Sequence, residues 1–190
     1  MMARRKEIDR ERILDIAYKK ALTDGIENLT ARSIAQTGHF STQPIYLEFK
    51  NMDGLRKEVL KRVSRTLRDE ILQKKFIGEP LYDLDLSYLQ FARDHRSLFS
   101  TIFVNGEFGD DLIRDTLMDL GHTKLREQYQ RDLDPELEKW LIALNWIIVN
   151  GMAVMLVDGL IDYDQDNFVR IIKRQLECRP DHQTAAGMPF

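Results

Sequence analysis

Cysteine is nearly absent from this sequence, and other features that define whole classes of protein are missing as well. The one cysteine, Cys178, excludes an intramolecular disulfide, which is compatible with a reducing cytosol. The charged segment MMARRKEIDRER has no apolar stretch behind it, so we expect no secretory signal and a cytoplasmic protein. No convincing alternation of apolar and polar residues predicts a β-sheet.

Motifs for catalysis and metal binding are also missing. There is no Gly-rich phosphate loop and no Ser nucleophile elbow, and the four histidines lack the paired spacing of metal ligands. The segment DYDQDNFVRIIK begins like a calcium loop, but its sixth position is Asn167 instead of Gly and its twelfth is Lys173 instead of Glu. We therefore expect no enzyme, cofactor or metal, and we interpret this segment as the beginning of a helix.

Charge is divided unevenly along a chain whose net charge is −3. Residues 1–75 carry 17 Lys and Arg against 11 Asp and Glu, whereas residues 76–190 carry 11 against 20. The net values of +6 and −9 indicate a basic head that meets a polyanion and an acidic body that does not. Chance variation in surface charge is the alternative explanation.

Helical periodicity covers nearly the whole of the 190 residues. Gly25 ends a first helix, Thr30 and Ser41 cap two short ones, and Asn51 caps a long one. Gly78 and Pro80 mark the boundary to further helices, predicted near 80–94, 96–104, 110–130, 135–158 and 164–178. The predicted fold class is all-α. Its divisions are a helix-turn-helix domain at 1–52, a connecting helix at 53–78, a ligand-binding and dimerisation domain at 79–179 and a flexible tail at 180–190.

The two short helices have the spacing of a helix-turn-helix. Ile34, Ala35, Phe40, Ile45 and Phe49 fall where crossing helices bury side chains against the first helix. The side chains expected to face outward are Thr42, Gln43, Pro44, Tyr46 and Leu47. The first three would meet base edges in the major groove, where Gln binds adenine and Pro or the Thr methyl group contacts the methyl group of thymine.

The run LTARSIA…FSTQPIYLEFKNMDGL resembles the DNA-binding domain of the TetR (tetracycline-repressor) family over about residues 9–60. Its most specific part is the step Ile45-Tyr46-x-x-Phe49, followed by an Asn-capped helix that holds Leu55. The resemblance implies a three-helix DNA-binding domain followed by a helical bundle. It also implies double-stranded DNA as a partner, with backbone contacts from Thr30, Thr42, Tyr46 and Lys50, a phosphate or guanine contact from Arg32, and base contacts from Gln43 and Pro44.

Two positions depart from the family pattern. The family usually has Gly in the turn where this chain has His39, and a turn that needs a positive φ disfavours His. The family usually has Lys after the helix-capping Asn, where this chain has Met52. We expect a slightly altered turn and one phosphate contact fewer, with Lys50 as a partial substitute.

The second half of the chain is rich in aromatic and Met side chains, which form either an ordinary core or an apolar ligand pocket. The residues predicted to line a pocket are Phe99, Phe103, His122, Asn145, Trp146 and Asn150. Residues 140–157 carry no charge and approach the length of a membrane span, but Asn145, Asn150 and Gly151 interrupt the run, so we expect no membrane partner.

The same apolar run fits a helix that meets a second subunit. In the family that this sequence resembles, the last two helices form the dimer interface, which corresponds here to about 136–158 and 165–177, with Gly151 and Ala153 permitting close approach. We therefore predict a homodimeric repressor that a small molecule releases from DNA. The alternatives are a regulator-like interaction module without DNA binding, and an enzyme or small-molecule carrier.

Overall fold

The structure, a computed structural model, describes residues 8–104, 110–130 and 133–177. Within those ranges the chain is helical with no strand, so the predicted all-α fold is confirmed. The predicted tail at 180–190 and Cys178 lie outside the described residues. The α-helices of the described ranges are α1 Arg10–Asp24, α2 Ala31–Gly38, α3 Gln43–Phe49, α4 Met52–Asp69, α5 Pro80–Asp94, α6 Arg96–Phe99, α7 Asp110–Tyr129, α8 Pro135–Val157 and α9 Gln165–Glu177.

The chain forms two compact units, and the first comprises Met1–Ser64 and Ser97–Asp110. Caps fix where its helices begin. The Asp9 carboxylate accepts a hydrogen bond from the backbone N–H of Arg12 at 2.8 Å, and the Asn51 side chain accepts one from the N–H of Gly54 at 2.8 Å. The core of the three N-terminal helices is made of apolar side chains that are at most 7% exposed: Ile13, Leu14, Ala17, Ala21, Ile34, Ala35, Ile45 and Phe49.

Residues 97–104 of this unit contact the end of α1 and the loop after it. The Thr101 hydroxyl donates to a Glu27 carboxylate oxygen at 2.5 Å, and Phe99 is fully buried. This stretch was predicted as one helix over 96–104. The structure has the short α6 followed by a π-helical turn at Ser100–Val104. A switch of hydrogen-bond register within a helix leaves no signal in the apolar pattern, so the sequence did not predict it.

The second unit comprises Arg65–Arg96 and Asp111–Phe190, and α5 is its central helix. Residues 81–89 of α5 are all buried, and α8 and α9 both pack against this helix. The buried Asp83 carboxylate accepts hydrogen bonds from three backbone N–H groups, those of residues 76, 77 and 78, at 2.8–3.2 Å. It therefore ties the chain before α5 to the helix itself.

Two smaller expectations from the sequence are wrong. Thr42, not Ser41, occupies the N-cap position of α3, and its side chain makes no capping hydrogen bond. Ala153, expected to permit close approach of a second chain, is fully buried inside the second unit and so does not lie on the exposed side of α8. Gly151 is exposed, and a Cβ atom placed there would meet no atom within 4 Å.

Candidate nucleic-acid interface

The turn between α2 and α3 is made by a histidine in the left-handed region. His39 has φ 56° and ψ 46°, and its backbone N–H bonds to the carbonyl groups of residues 35 and 36. The Phe40 N–H also bonds to the Ala35 carbonyl, at 3.0 Å, so the end of α2 has the hydrogen bonds of a Schellman-type cap. The turn thus keeps the positive φ that favours Gly, and His39 adopts it.

Gly38 is required by close packing instead of by its backbone angles. A Cβ atom at this position would lie 2.0 Å from a ring carbon of Phe40 and 2.8 Å from the terminal carbon of Ile16. The absent side chain of Gly38 therefore lets the Phe40 ring fold back over the end of α2. Because α3 begins three residues after Phe40, this packing helps fix the direction in which α3 leaves the turn.

The helix α3 divides cleanly into a buried and an exposed face. Ile45 is fully buried and Phe49 is 5% exposed, so these two side chains anchor the helix to the core. On the opposite side Tyr46 is 49% exposed and Leu47 is 74% exposed, and Gln43 is exposed as well. The sequence predicted that Leu47 faces outward without assigning it a role, yet it is the most exposed of the large apolar side chains among the described residues.

The predicted DNA-contacting residues lie on the surface of the first unit, with Pro44 half-buried and the others exposed. The Thr30 hydroxyl accepts from the Ser33 N–H at 3.1 Å as part of a capping box, so its own hydrogen is left to donate elsewhere. The Arg32 and Lys50 side chains form no ion pair with any described residue. In contrast, Arg10 pairs with Glu58, and Arg62 with Asp15.

The backbone holds Lys50 in an unusual conformation at the end of α3. Its φ is 64° and its ψ is −47°, and its N–H bonds to the Tyr46 carbonyl at 3.0 Å. The next residue, Asn51, begins α4 with its side-chain cap. A positive φ outside Gly costs free energy, so the tight step from α3 to α4 is maintained by packing around it. Met52 follows as a half-buried first residue of α4.

A second candidate site is a small cavity within the second unit, between α5, α7 and α8. It measures about 30 Å³ and is lined by Asn145 and Trp146, two of the predicted ligand residues, together with Asp85 and Tyr88. A third predicted residue, Asn150, accepts a hydrogen bond from the Tyr88 hydroxyl at 3.0 Å. Asp85 is not among the residues predicted from the sequence. Its signal was an acidic residue within the apolar run LYDLDLSYLQF.

The other predicted ligand residues lie elsewhere. His122 Nδ1 is 2.6 Å from a carboxylate oxygen of Glu138, which also pairs with Arg126. The bond from Arg126, followed by the one from His122, lowers the pKa of the Glu138 carboxyl despite the opposing effect of burial. Phe99 and Phe103 pack against each other, with ring centroids 4.9 Å apart, inside the first unit.

An apolar stripe runs along the outer side of α8. Ile147 is 55% exposed and Met155 is 41% exposed, and Trp140, Leu144 and Gly151 lie on the same side at helical spacing. No charged side chain occurs between residues 140 and 157. Among the described residues, α8 is also the one helix whose length and composition would allow it to cross a membrane, a test that core helices of other proteins pass as well.

Comparison with known proteins supports the fold. The chain is similar to the crystal structure of a tetR-family transcriptional regulator from Streptomyces coelicolor, with a TM-score of 0.70 and 16% sequence identity over 87% of this chain and 78% of that one. No protein-family model and no curated protein matches the sequence. The resemblance inferred from residues 9–60 is thus confirmed at the level of fold, since 16% identity carries no more than that.

Proposed function

We propose that this chain is a DNA-binding transcriptional regulator whose helix α3 enters the major groove. The observation that carries the proposal is the exposed face of α3, where the Gln43 and Tyr46 side chains form no hydrogen bond with any described residue and Leu47 is 74% exposed. A recognition helix needs such a face, because its side chains must be available to base edges and phosphates. The fold that the chain shares with a tetR-family regulator supports the same function.

The roles divide by position on the first unit. Thr42, Gln43 and Pro44, at the beginning of α3, would read bases, and the exposed Leu47 one turn later would contact a thymine methyl group. Thr30, Arg32, Tyr46 and Lys50 surround them and would contact the phosphate backbone. Phosphate contacts set the register of the protein on DNA, whereas base contacts set its sequence preference.

We further propose that the chain acts as a homodimer through α8 and α9, over about 136–158 and 165–177. The exposed stripe of α8 supports this, because a row of apolar side chains in water is stabilised by packing against another surface. Two heads related by a two-fold axis would read half-sites of a near-palindrome, separated by about one helical turn or a multiple of it.

The proposed outcome is repression in the cytoplasm that a small molecule bound in the second unit relieves. The protein has one conformation that fits the operator and one that does not. Such a molecule releases the protein from DNA only if it binds the second conformation more tightly than the first. The cavity beside Asp85 and Asn145 supports a binding site of this kind.

One observation favours a second candidate, a regulator-like module that binds another protein instead of DNA. Glu48 is exposed on α3 next to the apolar Leu47, and an acidic side chain near phosphates opposes DNA binding. We give DNA binding precedence because Glu48 lies toward the end of α3, away from the residues that would enter the groove first.

The deciding experiment is selection from random double-stranded DNA, followed by gel shift of the enriched sequences at two salt concentrations. We expect a near-palindromic motif that the wild type binds in preference to scrambled DNA and that a Gln43→Ala, Leu47→Ala double variant no longer prefers. An exposed Glu11→Ala substitution on α1 is the matched surface control. Selection that enriches no motif, with binding that does not discriminate between sequences, would favour the protein-binding module.

A further inference from the structure

The second unit contains a buried pair of polar side chains that is only half satisfied. Asp85 is 3% exposed and Asn145 is 7% exposed, and the Asn145 amide donates one hydrogen bond to Asp85 Oδ1 at 2.9 Å. The other Asp85 oxygen, Oδ2, and the Asn145 Oδ1 atom are buried and accept no hydrogen bond from any described residue. Buried oxygen atoms in folded proteins normally have a donor, so this pair requires an explanation.

The neighbouring Asp83 shows how the same helix satisfies a buried carboxylate when its role is structural. The Asp83 carboxylate accepts hydrogen bonds from the backbone N–H groups of residues 76, 77 and 78. Asp85, two residues along α5, accepts one hydrogen bond, from the Asn145 side-chain amide, and lines the cavity. Asp85 and Asn145 therefore line a cavity while one oxygen atom of each has no donor among the described residues.

The cavity provides room for a small polar group, and its walls offer an apolar surface to the rest of a ligand. Its volume of about 30 Å³ exceeds the roughly 10–15 Å³ that one water needs, so it holds a head group but not a whole organic molecule. Leu117 and Ile142 line it as buried walls, whereas Met118 and Trp146 are half-buried and form its outer side. The Tyr88 and Trp146 rings lie with their centroids 5.4 Å apart on one wall.

These features specify the chemistry of the group that fits. Two buried acceptors require a group with several N–H donors, and an acidic wall without Lys, Arg or His among its described lining residues favours a cation. Aromatic faces also attract cations at short range. Burial raises the pKa of the Asp85 carboxyl to about 8, so without a ligand the carboxyl holds a proton at neutral pH. A cation that binds beside it favours the ionised form, so this proton passes to solvent on binding and Oδ2 becomes a charged acceptor.

We propose that this cavity binds the primary ammonium group of a small amphipathic amine, with the ammonium donating to Asp85 Oδ2 and Asn145 Oδ1 and the apolar part lying against Trp146 and Met118. The inference deepens the proposed function, because it names the chemical class of the effector, and its regulatory meaning rests on that function. The binding itself does not.

The test is calorimetric titration of the full chain, without DNA, with methylammonium, benzylammonium, benzyl alcohol and benzyltrimethylammonium. Benzylammonium should bind roughly 10–100-fold more tightly than benzyl alcohol, which lacks the charge, and more tightly than benzyltrimethylammonium, which lacks N–H donors. The Asp85→Asn variant should bind benzylammonium more weakly than the wild type by the same factor. Asp119→Asn, which removes an exposed carboxylate on α7, should bind like the wild type.

Equal binding of benzylammonium to wild type and Asp85→Asn would overturn the proposal, as would the absence of measurable binding for both methylammonium and benzylammonium, which would leave a cavity for water only. The comparison among the four probes uses wild-type protein and so survives any misfolding of the variant. A chain that binds benzylammonium but selects no DNA motif would support the amine site while contradicting the regulator.

Discussion

Two buried carboxylates on one turn of α5, those of Asp83 and Asp85, differ in how many hydrogen bonds they accept in the folded state. Asp83 gains three hydrogen bonds from backbone N–H groups on folding, whereas Asp85 gains one and loses its hydration. Burying an ionised carboxylate without enough donors costs free energy, so its neutral form is favoured. The same change from carboxylate to amide should therefore have opposite effects at the two positions.

Asp85→Asn should flatten the pH dependence of stability. Burial raises the folded pKa of Asp85 from its ordinary value of 3.8 to about 8, so the folded state keeps a proton that the unfolded state has lost. Stability is lost as pH rises from about 4 to 8, and the variant escapes this loss. Because a shift of one pKa unit corresponds to about 1.4 kcal/mol, Asp85→Asn should be more stable than the wild type by a few kcal/mol at pH 8.

Urea unfolding of wild type and variant at pH 5 and pH 8 measures this difference. Asp83→Asn is the contrasting variant and should destabilise the protein by roughly 1–3 kcal/mol at neutral pH, because an amide oxygen is a weaker acceptor for three N–H groups. Identical pH dependence in wild type and Asp85→Asn would contradict the assignment of a buried, poorly satisfied carboxylate.

Single residues of the first unit should separate phosphate contacts from base contacts. Gln43→Ala should cost roughly 1–3 kcal/mol of binding free energy on the selected site and relax the preference at one base pair. Tyr46→Phe and Lys50→Ala should weaken binding to all sequences alike. In the Lys50 variant, a plot of the logarithm of the binding constant against the logarithm of salt concentration should be less steep by about 1. Gel shifts on matched and singly mismatched sites would show a uniform loss for Gln43→Ala if the base-reading role is wrong.

At the scale of elements, most helix ends could be predicted because local chemistry fixes them. Thr30 and Asn51 cap α2 and α4, and Pro80 and Pro135 each occupy the first turn of a helix. The pairing of Asp85 with Asn145 could not be predicted, since 60 residues separate them and only the packing of α5 on α8 brings them together. The outward face of α3 was predictable, because the apolar residues Ile45 and Phe49 are four residues apart and so mark the buried side of the helix.

The helix-turn-helix contains two adjacent positions with opposite requirements. Gly38→Ala should destabilise the protein by roughly 1–3 kcal/mol, because the new Cβ atom would overlap the Phe40 ring and force it to move. His39→Gly should leave stability unchanged or raise it by up to about 1 kcal/mol, because Gly adopts a positive φ without steric cost but loses more entropy on folding.

Denaturant titration distinguishes the two substitutions, and gel shift reports whether the turn still positions α3. A Gly38→Ala protein as stable as the wild type would mean that Phe40 finds an equivalent position. Loss of DNA binding in His39→Gly with unchanged stability would instead assign the histidine side chain a contact with DNA.

For the whole molecule, the division into a basic first part and an acidic second part follows from the sequence alone. The surface of the proposed dimer, in contrast, is identified only by the structure. The apolar run at 140–157 suggested an interface without showing which side of the helix is free. The structure buries Ala153 and Met152 inside the second unit and exposes Ile147 and Met155. A test of dimerisation therefore belongs at Ile147, since Ala153→Arg would disrupt the subunit itself.

Ile147→Glu should dissociate the proposed dimer while leaving each subunit folded. In a two-fold interface the substitution occurs twice and places two like charges in an apolar contact, so the dimer Kd should rise by at least about 30-fold. Leu160→Glu is the matched control, because Leu160 is 69% exposed and lies between the two proposed interface segments. Light scattering over a concentration series measures the shift, and circular dichroism confirms that both variants keep their helices. If wild type is a monomer at micromolar concentration, or if both variants dissociate equally, the apolar stripe of α8 is not the dimer contact, and the two heads would need another surface to bind adjacent half-sites together.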